Sequence, residues 1–123
     1  MATKDFNNAL LTAKIFKSGR IAATAGTGDT VYTVGSNKCA KLQTLTLCST
    51  HTSAVNIDVY IVPSGDTAGD QHKIVHTYSL PAGDSISLEG YVEGMMLGES
   101  DSIRIKASVT NVINAILTGV EGA

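Results

Sequence analysis

The chain has 123 residues, enough for one domain with a real core, and it is 43% hydrophobic but only 16% charged. That balance excludes a disordered chain, and so little charge suggests that part of the surface meets another protein. A net charge of −2, with nine basic residues scattered along the sequence, excludes the clustered Lys and Arg that nucleic acid demands. No apolar run approaches the roughly 18 residues of a membrane span, so no membrane partner is expected.

In chain order, the opening Met1 to Asn8 does not resemble a secretory signal, so synthesis and assembly in cytosol are expected. Residues 6–16 carry a weak helical spacing in Phe6, Leu10 and Ala13, with Leu11 and Ile15 beside it. Without strong caps, residues 1–18 read as an N-terminal arm that orders on a neighbour, with Phe6, Leu10 and Phe16 as its contact residues. Residues 19–123 then read as a single domain.

Within that domain the hydrophobic pattern has period two nearly throughout. Leu45 and Leu47 alternate with Thr44, Thr46 and Cys48. Val55, Ile57, Val59 and Ile61 alternate with Asn56, Asp58 and Tyr60, which places Tyr60 on an outward face. Ile86 and Leu88, and later Ile103, Ile105, Ala107 and Val109, repeat the scheme. Such strands are half-buried and antiparallel. Gly-, Pro-, Asn- and Asp-rich turns separate them at 26–29, 35–37, 63–66, 81–84 and 98–101. About eight strands result, near 19–25, 29–35, 39–49, 54–62, 73–80, 84–90, 101–108 and 111–120. The fold class is all-β, an antiparallel β-sandwich of jelly-roll type. Asp29, Asp84 and Asp101 each precede a Thr or Ser and a β-branched residue, a local echo that reads as a hairpin device.

Residue types that could carry chemistry are present without a working pattern. Cys39 and Cys48 lie nine positions apart on one expected strand, about 30 Å end to end, too far for a disulfide, so both read as reduced. His51 falls in a polar turn, and His72 and His76, taken on one strand, stand about 13 Å apart, too far for one metal. The loop 64–71 offers Asp66 and Asp70 but lacks the spacing of a calcium loop. Glu89, Glu93, Glu99 and Asp101 read as solvated turn residues rather than an acid–base pair. No catalytic residue, cofactor or metal is expected. The segment 90–97 is different: Tyr91, Met95 and Met96 beside glycines suit either an irregular core strand or an adaptable contact surface.

The phrases Val31 to Val34, Lys41 to Cys48, Asn56 to Gly65, Ala82 to Ile86 and Asp101 to Ile105 together resemble a group of small phage structural proteins. The resemblance covers roughly residues 20–120 and rests on strand and turn phrases. Residues 98–101, Gly-Glu-Ser-Asp, depart from the group's Ala-Gly-Asp and are expected to lengthen that turn by one. The resemblance implies a β-sandwich virion protein: a capsid decoration, or cement, protein on the outside of the shell. Its partners would be the major capsid protein and further copies of itself, a homo-oligomer expected to be a trimer. The alternative is a tail or fibre accessory that binds a host glycan, with Tyr60 as its stacking residue. An enzyme on the same scaffold, of cupin type, would need a clustered His and Glu set.

Overall fold

A computed structural model describes residues 11–22 and 24–122, with side chains from residue 19 onward. In chain order the strands are β1 (Leu11–Ile21), β2 (Asp29–Thr33), β3 (Cys39–Ser49), β4 (Val55–Val62), β5 (Lys73–Leu80), β6 (Ser85–Ser87), β7 (Met96–Leu97), β8 (Ser102–Ala107) and β9 (Ile113–Gly122). A single α-helical turn, α1 (Glu89–Val92), stands between β6 and β7. The strands form two antiparallel sheets that pack against each other. One has the order β1-β9-β3-β6, with β7 also on β3, and the other the order β2-β8-β4-β5. From β1 to β6 every step crosses between sheets except the β4–β5 hairpin, the strand order of a jelly roll.

Half-buried strands explain this architecture. Each strand hides one face, and two sheets stacked about 10 Å apart let all of those faces share one interior. Leu42, Leu45, Leu47, Ala115 and Leu117 from the five-stranded sheet meet Val55, Ile57, Val59, Ile103 and Ile105 from the four-stranded one. Full burial of each large aliphatic among them contributes about 1.5–3 kcal/mol. Leu42 and Leu45 are an odd distance apart yet both face inward. A register shift against β9 between Leu42 and Thr44 makes this possible, because the extra residue resets the alternation.

Several sequence expectations need correction. The first strand runs from Leu11 to Ile21 and pairs with β9, rather than covering 19–25, so the backbone from residue 11 onward belongs to the sheet. The strand expected over 84–90 stops at Ser87, and α1 follows. The turn 98–101 is not lengthened. Asp101 N–H donates to Gly98 O at 3.1 Å, the same closure found at Pro63–Asp66 and Pro81–Asp84. Ser100, at φ +67°, takes the seat that Gly65 and Gly83 occupy in the other two. The acidic echo is no hairpin device either. Asp29 accepts Ala22 N–H, Asp84 accepts Ser85 N–H, and Asp101 accepts from both Ser64 and Gly98, so each carboxylate braces a crossing between sheets.

Tyr60 is the largest correction. Its strand alternates as expected, with Val55, Ile57 and Val59 in the core, but Tyr60 on the other face is only 1% exposed. Neighbouring side chains cover it, for reasons that lie in the outer surface of its sheet.

Candidate functional site

Two outer faces are available for function, and they differ in kind. On the four-stranded sheet one cross-strand row reads Thr30, Arg104, Tyr60, Lys73. Arg104 donates to Thr27 O, Gly28 O and Thr30 Oγ1 at 3.1, 2.7 and 2.6 Å. Lys73 lies over the Tyr60 ring, 5.6 Å from its centre, and pairs with Asp70 at 3.3 Å. In the next row Asp58 faces Lys106 at 3.4 Å and accepts the Thr77 N–H at 2.6 Å, where β5 turns through φ +51°. Burial pushes the Asp58 carboxyl up, but the Thr77 amide, then Lys73 and Lys106, outweigh it and leave it below its ordinary value. Lys106 is held above its ordinary value: burial works against its charge, and the Tyr60 hydroxyl and Asp58 overcome that. These charges are engaged in holding backbone and each other.

The histidines and loop aspartates belong to the same bracing. His72 sits in a 3₁₀ turn, Asp70–His72, rather than on the strand. Its Nδ1 accepts the Gly69 N–H at 3.1 Å, which leaves Nε2 carrying the proton toward Asp66 at 3.3 Å. His76 stands 3.6 Å from Asp58 and 3.1 Å from the Lys73 amine. Asp66 and Asp70 therefore face different partners. His51 takes part only in the turn after β3, where its N–H donates to Ser49 Oγ. Among the described residues no three His, Cys, Asp or Glu converge in a way that could hold a metal. Cys39 and Cys48 are free thiols at opposite ends of β3.

The outer face of the five-stranded sheet carries few charges. Thr44, Thr46 and Cys48 of β3 pair across with Thr118, Ile116 and Asn114 of β9. Ser85 and Ser87 of β6 continue the neutral surface beside Cys48 and Thr46. The Thr44 and Thr118 hydroxyls bond to each other at 2.5 Å. Among the described residues three large hydrophobic side chains are exposed, Tyr91 at 52%, Met96 at 60% and Ile116 at 44%. All three belong to this side. Ile116 stands mid-face, Met96 pairs with Lys41 at the β3 edge, and Tyr91 lies on α1 beside that edge. An open depression there is lined by Lys41, Gln43, Thr44, Glu89, Glu93 and Gly94. Within it Glu93 bonds to Glu89 and repels its charge, holding the Glu89 carboxyl above its ordinary range.

Of the contact residues expected from sequence, Tyr91 and Met96 are open to solvent, whereas Met95 is partly buried against the core and its carbonyl accepts Leu42 N–H. Phe6 and Leu10 lie outside the described residues. Phe16 sits at a register shift in β1, and its side chain too lies outside what is described. Sequence reasoning missed Ile116. Its signal was the unbroken run Ala115-Ile116-Leu117, in which the middle residue must break the inward phase.

A bridge closes the sandwich at one end. Tyr32 of β2 donates its hydroxyl to Glu121 of β9 at 2.6 Å, and Lys38 approaches the same carboxylate at 3.5 Å. Burial, then the Glu121 contact, pushes the Tyr32 phenol well above its ordinary range, so it stays protonated and donating. No helix among the described residues is long and apolar enough to cross a membrane. Comparison of the chain with protein-family models, with characterised proteins and with solved structures finds no match.

Proposed function

We propose that this chain is a virion structural protein, a capsid decoration (cement) protein that binds the outside of a phage shell as a homo-oligomer and stabilises it. It would be made in the host cytoplasm and would work without a catalytic step, cofactor or metal. The observation that carries the reading is the neutral outer face of the five-stranded sheet, with Tyr91, Met96 and Ile116 exposed on one side of a rigid sandwich. Large apolar side chains left open on a face with few charges are what contact surfaces present. Repetition by symmetry turns many modest contacts into a firm attachment. The phage-like strand and turn phrases supply the setting.

The test is the number of copies per purified virion, measured by quantitative mass spectrometry against the major capsid protein. Copies on the order of hundreds support a shell position, since icosahedral sites are numerous, and a dozen or fewer move the protein to the tail. The tail reading, a fibre accessory that binds host glycan, loses Tyr60 as its stacking residue because that ring is covered. Tyr91, beside the depression at Glu89 and Glu93, is the aromatic it would have to use.

A further inference from the structure

Residues 63–72 connect β4 to β5, and one imidazole ties the two halves of that connection together. His72 Nε2 donates to Asp66 Oδ2 at 3.3 Å in the first half, and Nδ1 accepts the Gly69 N–H at 3.1 Å in the second. The His72 side chain is only 8% exposed, so both ring nitrogens are used inside the connection rather than in water. Short turns make up the remainder. Asp66 N–H donates to Pro63 O at 3.1 Å, and His72 N–H to Gly69 O at 3.0 Å. Ser64 N–H reaches Asp101 Oδ1 at 2.7 Å, which fastens the start of the connection to the turn before β8.

An imidazole accepts a hydrogen bond only while it is neutral, because both ring nitrogens of the cation are donors. We infer that residues 63–72 form an acid-released latch with His72 as its pin. A proton from solvent binds the Nδ1 lone pair, the Gly69 N–H then faces another N–H, and that bond opens. Nε2 keeps its proton and its contact with Asp66. The 3₁₀ turn loses the bond that caps its start, and residues 67–71 come away from the ring while the sandwich stays folded. The change of shape is confined to the end of the sandwich where this connection meets the 98–101 turn.

The surrounding charges fit such a step. Asp66, facing Nε2, favours the cation. Lys73, next in the chain, opposes it, but its amine pairs with Asp70 at 3.3 Å and lies over the Tyr60 ring. The strand packed against the 3₁₀ turn is β4, whose titratable residues are Asp58 and Tyr60. Asp58 is engaged by Lys106, the Thr77 amide and His76. Asp101 is engaged by the Ser64 and Gly98 amides. His76 bonds through its ring to the side chains of Lys73 and Thr77, so its protonation releases no backbone amide. The latch is a property of the single chain and does not rest on the shell reading.

NMR on the full chain tests it between about pH 7.5 and about pH 5, above the range in which ordinary aspartates titrate. Ring nitrogen shifts should show His72 as the Nε2–H tautomer at the higher pH and doubly protonated at the lower. Protection of the Gly69 amide from hydrogen exchange, relative to its intrinsic rate, should fall about 10-fold or more, while the Val59 and Ile105 amides keep theirs. Asparagine sets a carbonyl oxygen near the position of Nδ1 and does not titrate. His72→Asn should therefore keep Gly69 protected at both pH values, and His72→Ala should lose that protection at both. Equal Gly69 protection of the parent at the two pH values, the same acid loss in His72→Asn, or a parallel loss at Val59 and Ile105 would each overturn the latch. If His72→Asn fails to fold, the tautomer and amide protection of the parent decide alone.

Discussion

The two outer faces of this sandwich are built from similar strands yet end in opposite states. On the four-stranded sheet Arg104, Lys73, Lys106 and Asp58 bond to backbone, to Tyr60 and to one another, and they seal a second small buried layer outside the core. On the five-stranded sheet the corresponding positions are Thr44, Thr46, Cys48, Ile116 and Thr118, neutral side chains that leave Ile116 open. The first face is finished by its own charges and has little left to offer a partner. The second gives up little energy when covered, since hydroxyls and methyls desolvate far more cheaply than ions. Of the two faces, the five-stranded one is therefore the better suited to being covered.

If the four-stranded face is structural, breaking it should unfold the protein. The largest effect is expected for Gly28→Ala. Gly28 has φ +78°, and an added Cβ would collide with the backbone carbonyl of Ile105. The same turn presents the carbonyls that Arg104 grips, so the β2–β8 edge would have to part. A loss of about 3–5 kcal/mol is expected, read as a shift of the urea midpoint. A loss below about 1 kcal/mol would mean that the turn yields easily and the face is less rigid than its bonds imply.

Next in size is Asp58→Ala, which strands Lys106 and the Thr77 amide and should cost about 2–3 kcal/mol. The pH dependence has a definite sign. Asp58 is depressed in the folded protein, so its contribution is complete above its ordinary value of 3.8 and disappears as pH falls through the lower folded value. The stability gap between the parent and Asp58→Asn should therefore be wide at about pH 6 and narrow by about pH 3. Urea titrations of both proteins at the two pH values check it, and a gap that widens on acidification would refute the assignment.

The contrast between the faces was only partly legible in the sequence. Period-two alternation with turn residues every few positions dictates a sandwich, and β3, β4, β5, β8 and most of β9 fall where that pattern sets them. What alternation cannot reveal is whether an outward residue is covered. Tyr60 and Asp58 read as surface, because the side chains that bury them come from β5 and β8: Lys73 and Arg104 lie 13 and 44 positions beyond Tyr60, and Lys106 lies 48 beyond Asp58. The bulge after Leu42 was hidden for the same reason, since the extra residue is defined by its partner strand. Tyr91 and Met96 stood out because they break the polar pattern locally. Ile116 did not, because its apolar neighbours belong to a strand that buries both of them.

The smallest expected effect sharpens the comparison most. Replacing both hydroxyls of the Thr44–Thr118 pair in Thr44→Val/Thr118→Val removes their mutual hydrogen bond but leaves no orphaned partner and keeps the β-branched shape. Such paired replacements are nearly neutral, so the urea midpoint should move by no more than about 0.5 kcal/mol in equivalent stability. Removal of one hydroxyl, as in Thr118→Val alone, leaves Thr44 facing a methyl group and should cost slightly more than the double change. A penalty near 2 kcal/mol for the pair would make this face as structural as the other. Near-neutrality means that the folded chain does not require those residues, and whatever favours a flat hydroxyl and methyl surface around an open isoleucine must act through a contact outside the single chain.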